Sequence, residues 1–273
     1  MAKYLVTNAD DFGFTRDVNS GIVEAHQQGI LTATTLMANG DAFEDALRLA
    51  ELNPDLDIGC HLVLVGGRSL IGQRLWFPTS TIELTRLVYS GKIALFDELA
   101  AQVQRIVTAG IRPTHIDTHK HTHILPPVLR ALCSVAQEFR IPWVRRPIDY
   151  PMPQRGAATQ HLAGLVMRRM KPSITKTLAE NGLKQTDHFL GFSVTGRLDE
   201  RMLAEMMQHV PIGTTELMVH PGHLREELRA APTRLKQSRE LELKALTAPR
   251  VRDAMAAAGI ELVNYRQLNE IYP

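Results

Sequence analysis

Tyr4–Gln28, YLVTNADDFGFTRDVNSGIVEAHQQ, contains a complete strand-then-helix unit, and its reading decides the fold. Tyr4–Asn8 is a short apolar run that reads as a strand. Asp17–Gln28 reads as a helix with Val18, Ile22 and Ala25 on one face and Gly29 as its stop. The same rhythm returns further along the chain. Ala33–Ala38 followed by Ala42–Leu52, which Asn53-Pro54 stops, makes a second unit, and Asp57–Val65 opens a third. Runs at His115–Thr118, Trp143–Arg145, His188–Phe192, Thr215–Val219 and Glu261–Asn264 continue it, with helical patterns such as Pro127–Phe139 and Glu200–Gln208 between them. Strands alternating with helices pair in parallel through right-handed crossovers, and about eight such units favour a closed barrel over an open sheet. The expected fold is α/β: a single β/α barrel, TIM-like, with seven or eight strands and an irregular last one. It occupies residues 1–273 as one domain.

Two stretches interrupt the rhythm. Gly66–Thr79 is rich in Gly, Pro and single hydrophobics, and Tyr150–Thr186 begins PMPQRG and shows no clear strand. Both read as insertions over the C-terminal mouth, the second as a lid at about residues 150–186. Within it, His161–Met170 places Leu162, Leu165, Val166 and Met170 on one side, with Arg168, Arg169 and Lys171 close by. A basic amphipathic helix of this kind either covers the barrel or touches a lipid surface, so peripheral membrane contact is carried as an expectation.

Composition narrows the function. The 31 Lys+Arg and 29 Asp+Glu leave a net charge of +2, which argues against a nucleic-acid binder that works by bulk positive charge. No run approaches the ~20 apolar residues of a membrane span. Met1–Asn8 lacks the apolar core of a secretory signal, so a soluble, cytoplasmic protein is expected. Cys60 and Cys133 are too few for a disulfide framework or a cysteine-based zinc cluster and are expected as reduced thiols. Oligomeric state is left open, a homo-oligomer included.

Barrel active sites form at the carboxyl ends of the strands. Here the first strand runs into Asn8-Ala9-Asp10-Asp11-Phe12-Gly13 and the third carries Gly59-Cys60-His61. The fourth leads through His115-Ile116-Asp117-Thr118-His119 to His121 and His123, and the seventh ends in His220-Pro221-Gly222-His223. Adjacent carboxylates after a buried strand repel each other, and a cation relieves that cost. In an extended chain His115, Asp117, His119, His121 and His123 share one face. One aspartate of the first strand, His61 and a histidine of the fourth would make a three-ligand catalytic site for one divalent ion. Such an ion acidifies water and polarises a carbonyl, which suits hydrolysis of an amide or ester. The spare aspartate could take the proton of water, and His220 could protonate the leaving amine.

On these motifs the sequence resembles the YdjC-like carbohydrate deacetylases over nearly its whole length. The resemblance implies a barrel-like, metal-dependent enzyme that removes an N-acetyl group from an amino sugar. It places the metal ligands on Asp11, His61 and His119, the general base on Asp10 and the general acid on His220. Asp117 is expected to orient a ligand histidine. His121 and His123 are expected at substrate or beside the ligands, and Arg145 and Arg146 at the base or a substrate oxygen. The metal is expected to be zinc or magnesium, with nickel, cobalt and manganese as further candidates. The run His61–Arg68 (HLVLVGGR) looks like the hopanoid-biosynthesis-associated branch (HpnK), which implies an N-acetylglucosaminyl glycolipid. Two other classes compete: another barrel metalloenzyme, such as a phosphoesterase or sugar isomerase, and a non-catalytic metal- or glycolipid-binding protein. The first would call for a second metal with extra carboxylates. The second has no need of the second aspartate.

Overall fold

The computed structural model describes residues 2–72, 75–153 and 158–273, except for the side chains of 158–163 and 165–166. Its strands are β1 (Lys3–Phe12), β2 (Ala33–Leu36), β3 (Asp57–Leu62), β4 (His115–Thr118), β5 (Trp143–Val144), β6 (His188–Leu190), β7 (Gly213–Val219) and β8 (Ile260–Leu262). The helices are α1 (Arg16–Gln28), α2 (Phe43–Leu52), α3 (Thr81–Tyr89), α4 (Leu95–Thr108), α5 (Pro126–Glu138) and α6 (Ala158–Glu180). They continue with α7 (Glu200–Met207), α8 (Glu226–Ala230), α9 (Gln237–Thr247), α10 (Pro249–Ala257) and α11 (Tyr265–Ile271).

All strand pairs are parallel, in the order β5-β4-β3-β2-β1-β7-β6. Two isolated bridges, Trp143 with Lys184 and Asp149 with Phe189, span the gap between the two edge strands, and Tyr150 N–H donates to the Phe189 carbonyl at 2.7 Å. The sheet therefore curls into a barrel-like fold of seven staves, within the seven or eight strands expected. The eighth strand is not a stave: β8 pairs only with Lys3–Leu5 at the start of β1, while β2 pairs with β1 from Asn8 onward. Buried aliphatic side chains of the strands and of the inner helix faces, among them Leu5, Ile22, Leu36, Leu99, Val128 and Leu246, form the main core, and Val6, Ala33, Trp143, Val263, Tyr265 and Leu268 form a second, smaller cluster.

Three local features shape the mouth. Thr15 caps α1 by accepting the Val18 N–H, which ends the β1 loop cleanly. Between Ala9 and Phe12, β1 takes three residue steps while β2 takes two, from Thr34 to Leu36. The extra residue is a bulge, with Asp11 at φ 71 and Gly13 in the left-handed region just beyond. The fourth strand stops at Thr118 rather than continuing extended. His119–Ile124 forms a 3₁₀ turn in which Lys120 and His121 have φ of 55 and 52, so the odd-numbered histidines do not share a strand face. The helix expected at His161–Met170 lies within α6, where Arg168 and Arg169 are exposed. Leu162, Leu165 and Val166 fall outside the described side chains. Among the described residues no helix is long and apolar enough to cross a membrane.

Candidate active site

The bulge in β1 brings the two aspartates to one place. In a regular strand, neighbouring side chains point to opposite faces. With one extra residue at Asp11, both Asp10 and Asp11 sit at the carboxyl end of the barrel, and both are buried. His61 arrives from β3 and His119 from the residue after β4. His61 Nε2 is 3.3 Å from Asp11 Oδ1, His119 Nδ1 is 3.2 Å from the same oxygen, and the two nitrogens are 3.2 Å apart. Asp117 accepts from His61 Nδ1 at 2.5 Å, which fixes the ring and turns its Nε2 toward Asp11.

A buried charge network surrounds these atoms. Arg145, just past β5, makes a two-pronged pair with Asp10 at 2.7 and 2.8 Å. It also reaches Asp117 at 2.5 Å and Glu216 of β7 at 2.7 Å. Arg239 of α9 donates to Asp11 Oδ2. Asn8 links the cluster to the barrel interior by donating to Asp10 Oδ1 and accepting from His115 Nε2 at 2.8 Å. His220, after β7, lies 3.9 Å from Asp10 Oδ2. Its backbone N–H donates to Glu242 of α9 at 2.6 Å.

These neighbours set the protonation states. Burial raises the Asp10 carboxyl, but the charge of Arg145, aided by His61 and His220, outweighs it and holds the group well below the usual carboxylate range. Burial acts on Asp11 in the same sense and is likewise outweighed, chiefly by Arg239. Burial would lower His61, but Asp117 and Asp10 push it up to about 10. His220 is brought down to about 4 by burial, against the pull of Asp10 and Asp11. Burial pushes Glu216 up to about 6 and Glu242 up to about 7.

The cluster fits a divalent cation. Asp11 Oδ1 is buried and, among the described residues, has no hydrogen-bond partner although two imidazole nitrogens face it. Ligands about 2.0–2.1 Å from a tetrahedral zinc lie about 3.3 Å from one another. The spacings of 3.2–3.3 Å between these atoms match that value. Among the described residues, the four carboxylates of Asp10, Asp11, Asp117 and Glu216 face two guanidiniums, Arg145 and Arg239, and the His61 ring, so negative charge exceeds positive even with that ring protonated.

The other residues marked from sequence divide. His121 is buried and lines the cleft, and among the described residues its Nδ1 has no partner. His123 has both ring nitrogens engaged, one with Thr118 Oγ1 at 2.7 Å and the other with the Arg145 carbonyl at 3.0 Å. It thereby supports the backbone of Arg145. Arg146 turns away from the aspartates and donates to the Thr186 and Asp187 carbonyls. Glu216, Arg239 and Glu242 join the cluster without having been marked. Their signal was a charge at a position that the periodicity buries. Arg239, Glu242, Leu243 and Leu246 follow the i, i+3, i+4, i+7 stripe of an inward helix face, and Glu216 sits inside the apolar strand β7.

Above the cluster opens a cleft of about 610 Å³. Asp10, Asp11, His119, His220 and Arg239 line it, and Trp76 stands on one wall. Arg68 and Trp76, from the Gly66–Thr79 insertion, pair with each other, and the guanidinium of Arg68 lies 4.7 Å from the Trp76 ring centroid.

Comparison with known proteins agrees with this architecture. The chain is 35% identical over 271 residues to a carbohydrate deacetylase of Brevibacillus brevis, covering 97% of this chain and 99% of that one. It is 33% identical to a carbohydrate deacetylase of Geobacillus stearothermophilus, covering 99% of this chain and all of the other. A crystal structure from Enterococcus faecalis superposes with a TM-score of 0.79 at 24% identity over 98% of this chain and 99% of its own, which shows the shared fold. The match to the family described as YdjC-like protein runs through residues 4–257 and so takes in both aspartates, His61, His119 and His220. With the barrel and its mouth residues falling inside that match, the chain belongs to the YdjC-like protein family.

Proposed function

We propose that the protein is a metal-dependent hydrolase that removes an N-acetyl group from an amino sugar. The observation that carries this is the convergence of Asp11 Oδ1, His61 Nε2 and His119 Nδ1 at 3.2–3.3 Å beside a second buried carboxylate, beneath a sugar-sized cleft. The names of its relatives, carbohydrate deacetylase and chitooligosaccharide deacetylase, support the same reading. Asp11, His61 and His119 would hold one divalent ion, with zinc suited to this donor set. When bound, such an ion supplies Lewis acidity toward an amide carbonyl and makes water more acidic.

The protein's own groups then move the protons. Water adds to the acetyl carbon, the C–N bond breaks, and the products are acetate and the ammonium form of the amino sugar. Asp10, locked in place by Arg145, accepts a proton from the attacking water. A carboxyl held this acidic gives the proton up readily, and His220 Nε2, 3.9 Å from Asp10 Oδ2, is placed to pass it to the leaving nitrogen. Arg145 thus orients the base, and Asp117 orients His61. Trp76 offers an aromatic face to a sugar ring, and His121 Nδ1 offers a hydrogen bond to a hydroxyl.

A narrower reading joins this one: the amino sugar is carried on a lipid, as in an N-acetylglucosaminyl hopanoid. The HpnK-like run His61–Arg68 supports it, and so does Trp76, 59% exposed at the rim where a bulky aglycone would leave the cleft. Mass-spectrometric assay of N-acetylated oligosaccharides and N-acetylglucosaminyl lipids for loss of one acetyl group tests both levels. Loss of acetyl from the glycolipid, with soluble oligosaccharides poor, is expected. Equal turnover of both would remove the lipid reading, and no acetyl loss from any of them would remove the deacetylase reading.

A further inference from the structure

Helix α9 brings Arg239 to the floor of the cleft. The residue is 1% exposed, and its stem packs on Gly222, where an added Cβ would come within 3.3 Å of Arg239 Cδ. Two of its three nitrogens are committed. Nε donates to the Leu235 carbonyl at 3.3 Å and Nη2 to Asp11 Oδ2. Nη1 is buried and, among the described residues, has no acceptor, yet Arg239 lines the cleft.

A buried charged donor without an acceptor is expensive, and each such group in a native protein has a reason: an ordered water or ion, stored strain, a ligand or a catalytic role. The chemistry proposed above supplies the acceptor. Its product is a carboxylate, and its transition state carries negative charge on the former carbonyl oxygen; the planar guanidinium suits both. Because Nη2 is fixed to Asp11, the free nitrogen of the same group lies beside the carboxylate around which the reaction is assembled. We propose that Arg239 Nη1 is the donor that receives the acyl oxygen of the substrate amide and, after the C–N bond breaks, one oxygen of the acetate formed. This inference rests on the deacetylase reading. As water adds to the carbonyl carbon, charge builds on that oxygen, and Nη1, on a guanidinium anchored through Nε by Leu235 and through Nη2 by Asp11, stabilises it once the bound substrate opens a path to it.

Arg239→Lys tests the assignment, because one ammonium can still pair with Asp11 while Nη1 is gone. The variant is expected to bind Zn²⁺ with the stoichiometry of wild type. Its kcat should fall about 100- to 1000-fold with a smaller change in KM. Inhibition by acetate should weaken about tenfold or more. A variant that holds zinc and is inhibited by acetate as wild type is would overturn the proposal. Should the variant fail to fold or to hold zinc, wild-type crystals soaked in inhibitory acetate decide the matter. An acetate oxygen within about 3.2 Å of Nη1 supports it; acetate seated elsewhere, or absent, overturns it. If wild type releases no acetate from any N-acetylated sugar, the deacetylase reading fails first and this inference with it, which keeps the two failures apart.

Discussion

Replacing Asp117 by Asn removes one charge and no volume, and it strikes the joint between the metal ligands and the buried arginine. Asp117 is 1% exposed. Its Oδ1 accepts from His61 Nδ1 at 2.5 Å, and its Oδ2 faces Arg145 Nη1 at 2.5 Å. An asparagine satisfies only one of these neighbours. With its oxygen toward His61, its NH₂ abuts Arg145 Nη1, donor against donor. With its oxygen toward Arg145, the NH₂ meets His61 Nδ1 and drives the imidazole proton to Nε2, the atom that must bind the ion. Loss of such a supporting partner typically weakens metal binding about 10- to 100-fold, which is about 1.4–2.7 kcal/mol. Chelator-competition titration with Zn²⁺ at fixed pH measures it, with circular dichroism to confirm the fold. A folded Asp117→Asn variant that binds zinc within about twofold of wild type would refute the claim that Asp117 sets the His61 tautomer.

The other perturbations separate the remaining roles. Asp10→Asn should keep its metal while acetate release falls about 100- to 10,000-fold, whereas His61→Ala and His119→Ala should lose the metal too; elemental analysis and acetate assay on the same preparations distinguish them. Glu242, pushed up to about 7 by burial, holds its proton in the folded state at pH values where the unfolded chain has released it. Its stabilising contribution is therefore complete below about pH 4.5 and is lost as pH rises through about 7, a swing of about 3 kcal/mol. Urea unfolding should show Glu242→Gln gaining on wild type by that order from pH 5 to 8, and parallel curves would contradict the burial argument. Gly21→Ala would place a Cβ 2.5 Å from Gly222 Cα, backbone that no rotamer change can move aside. It should cost about 1–3 kcal/mol, lower Tm by several degrees in a thermal melt, and impair acetate release by displacing His220.

Much of this site was legible because chemistry and periodicity disagree at its residues. A pair of aspartates after YLVTN, a histidine between Cys60 and Leu62, and histidines crowded after His115-Ile116-Asp117 all place polar groups where strands end. The strand rhythm likewise showed about eight units; seven are staves, and the last, read at Glu261–Asn264, is β8 (Ile260–Leu262), too short for its pattern to say which edge it joins. Other features depended on backbone geometry that no pattern encodes. The bulge that turns Asp11 beside Asp10 comes from register with β2, and the left-handed turn at Lys120 and His121 replaces the extended run that the spacing suggested. Arg145 and Arg146 are adjacent in sequence, but one faces the aspartates and the other the Thr186 and Asp187 carbonyls. Arg239 and Glu242 come from a helix more than 200 residues beyond Asp11; a charge on its buried stripe is their signal in the sequence, and nothing in that signal says which site they join.

Anomalous diffraction from a crystal grown with zinc tests the central claim most directly. A single peak bonded by Asp11 Oδ1, His61 Nε2 and His119 Nδ1 is the predicted result. Zinc held by other side chains, or none in these three atoms' reach at saturating concentration, would contradict it.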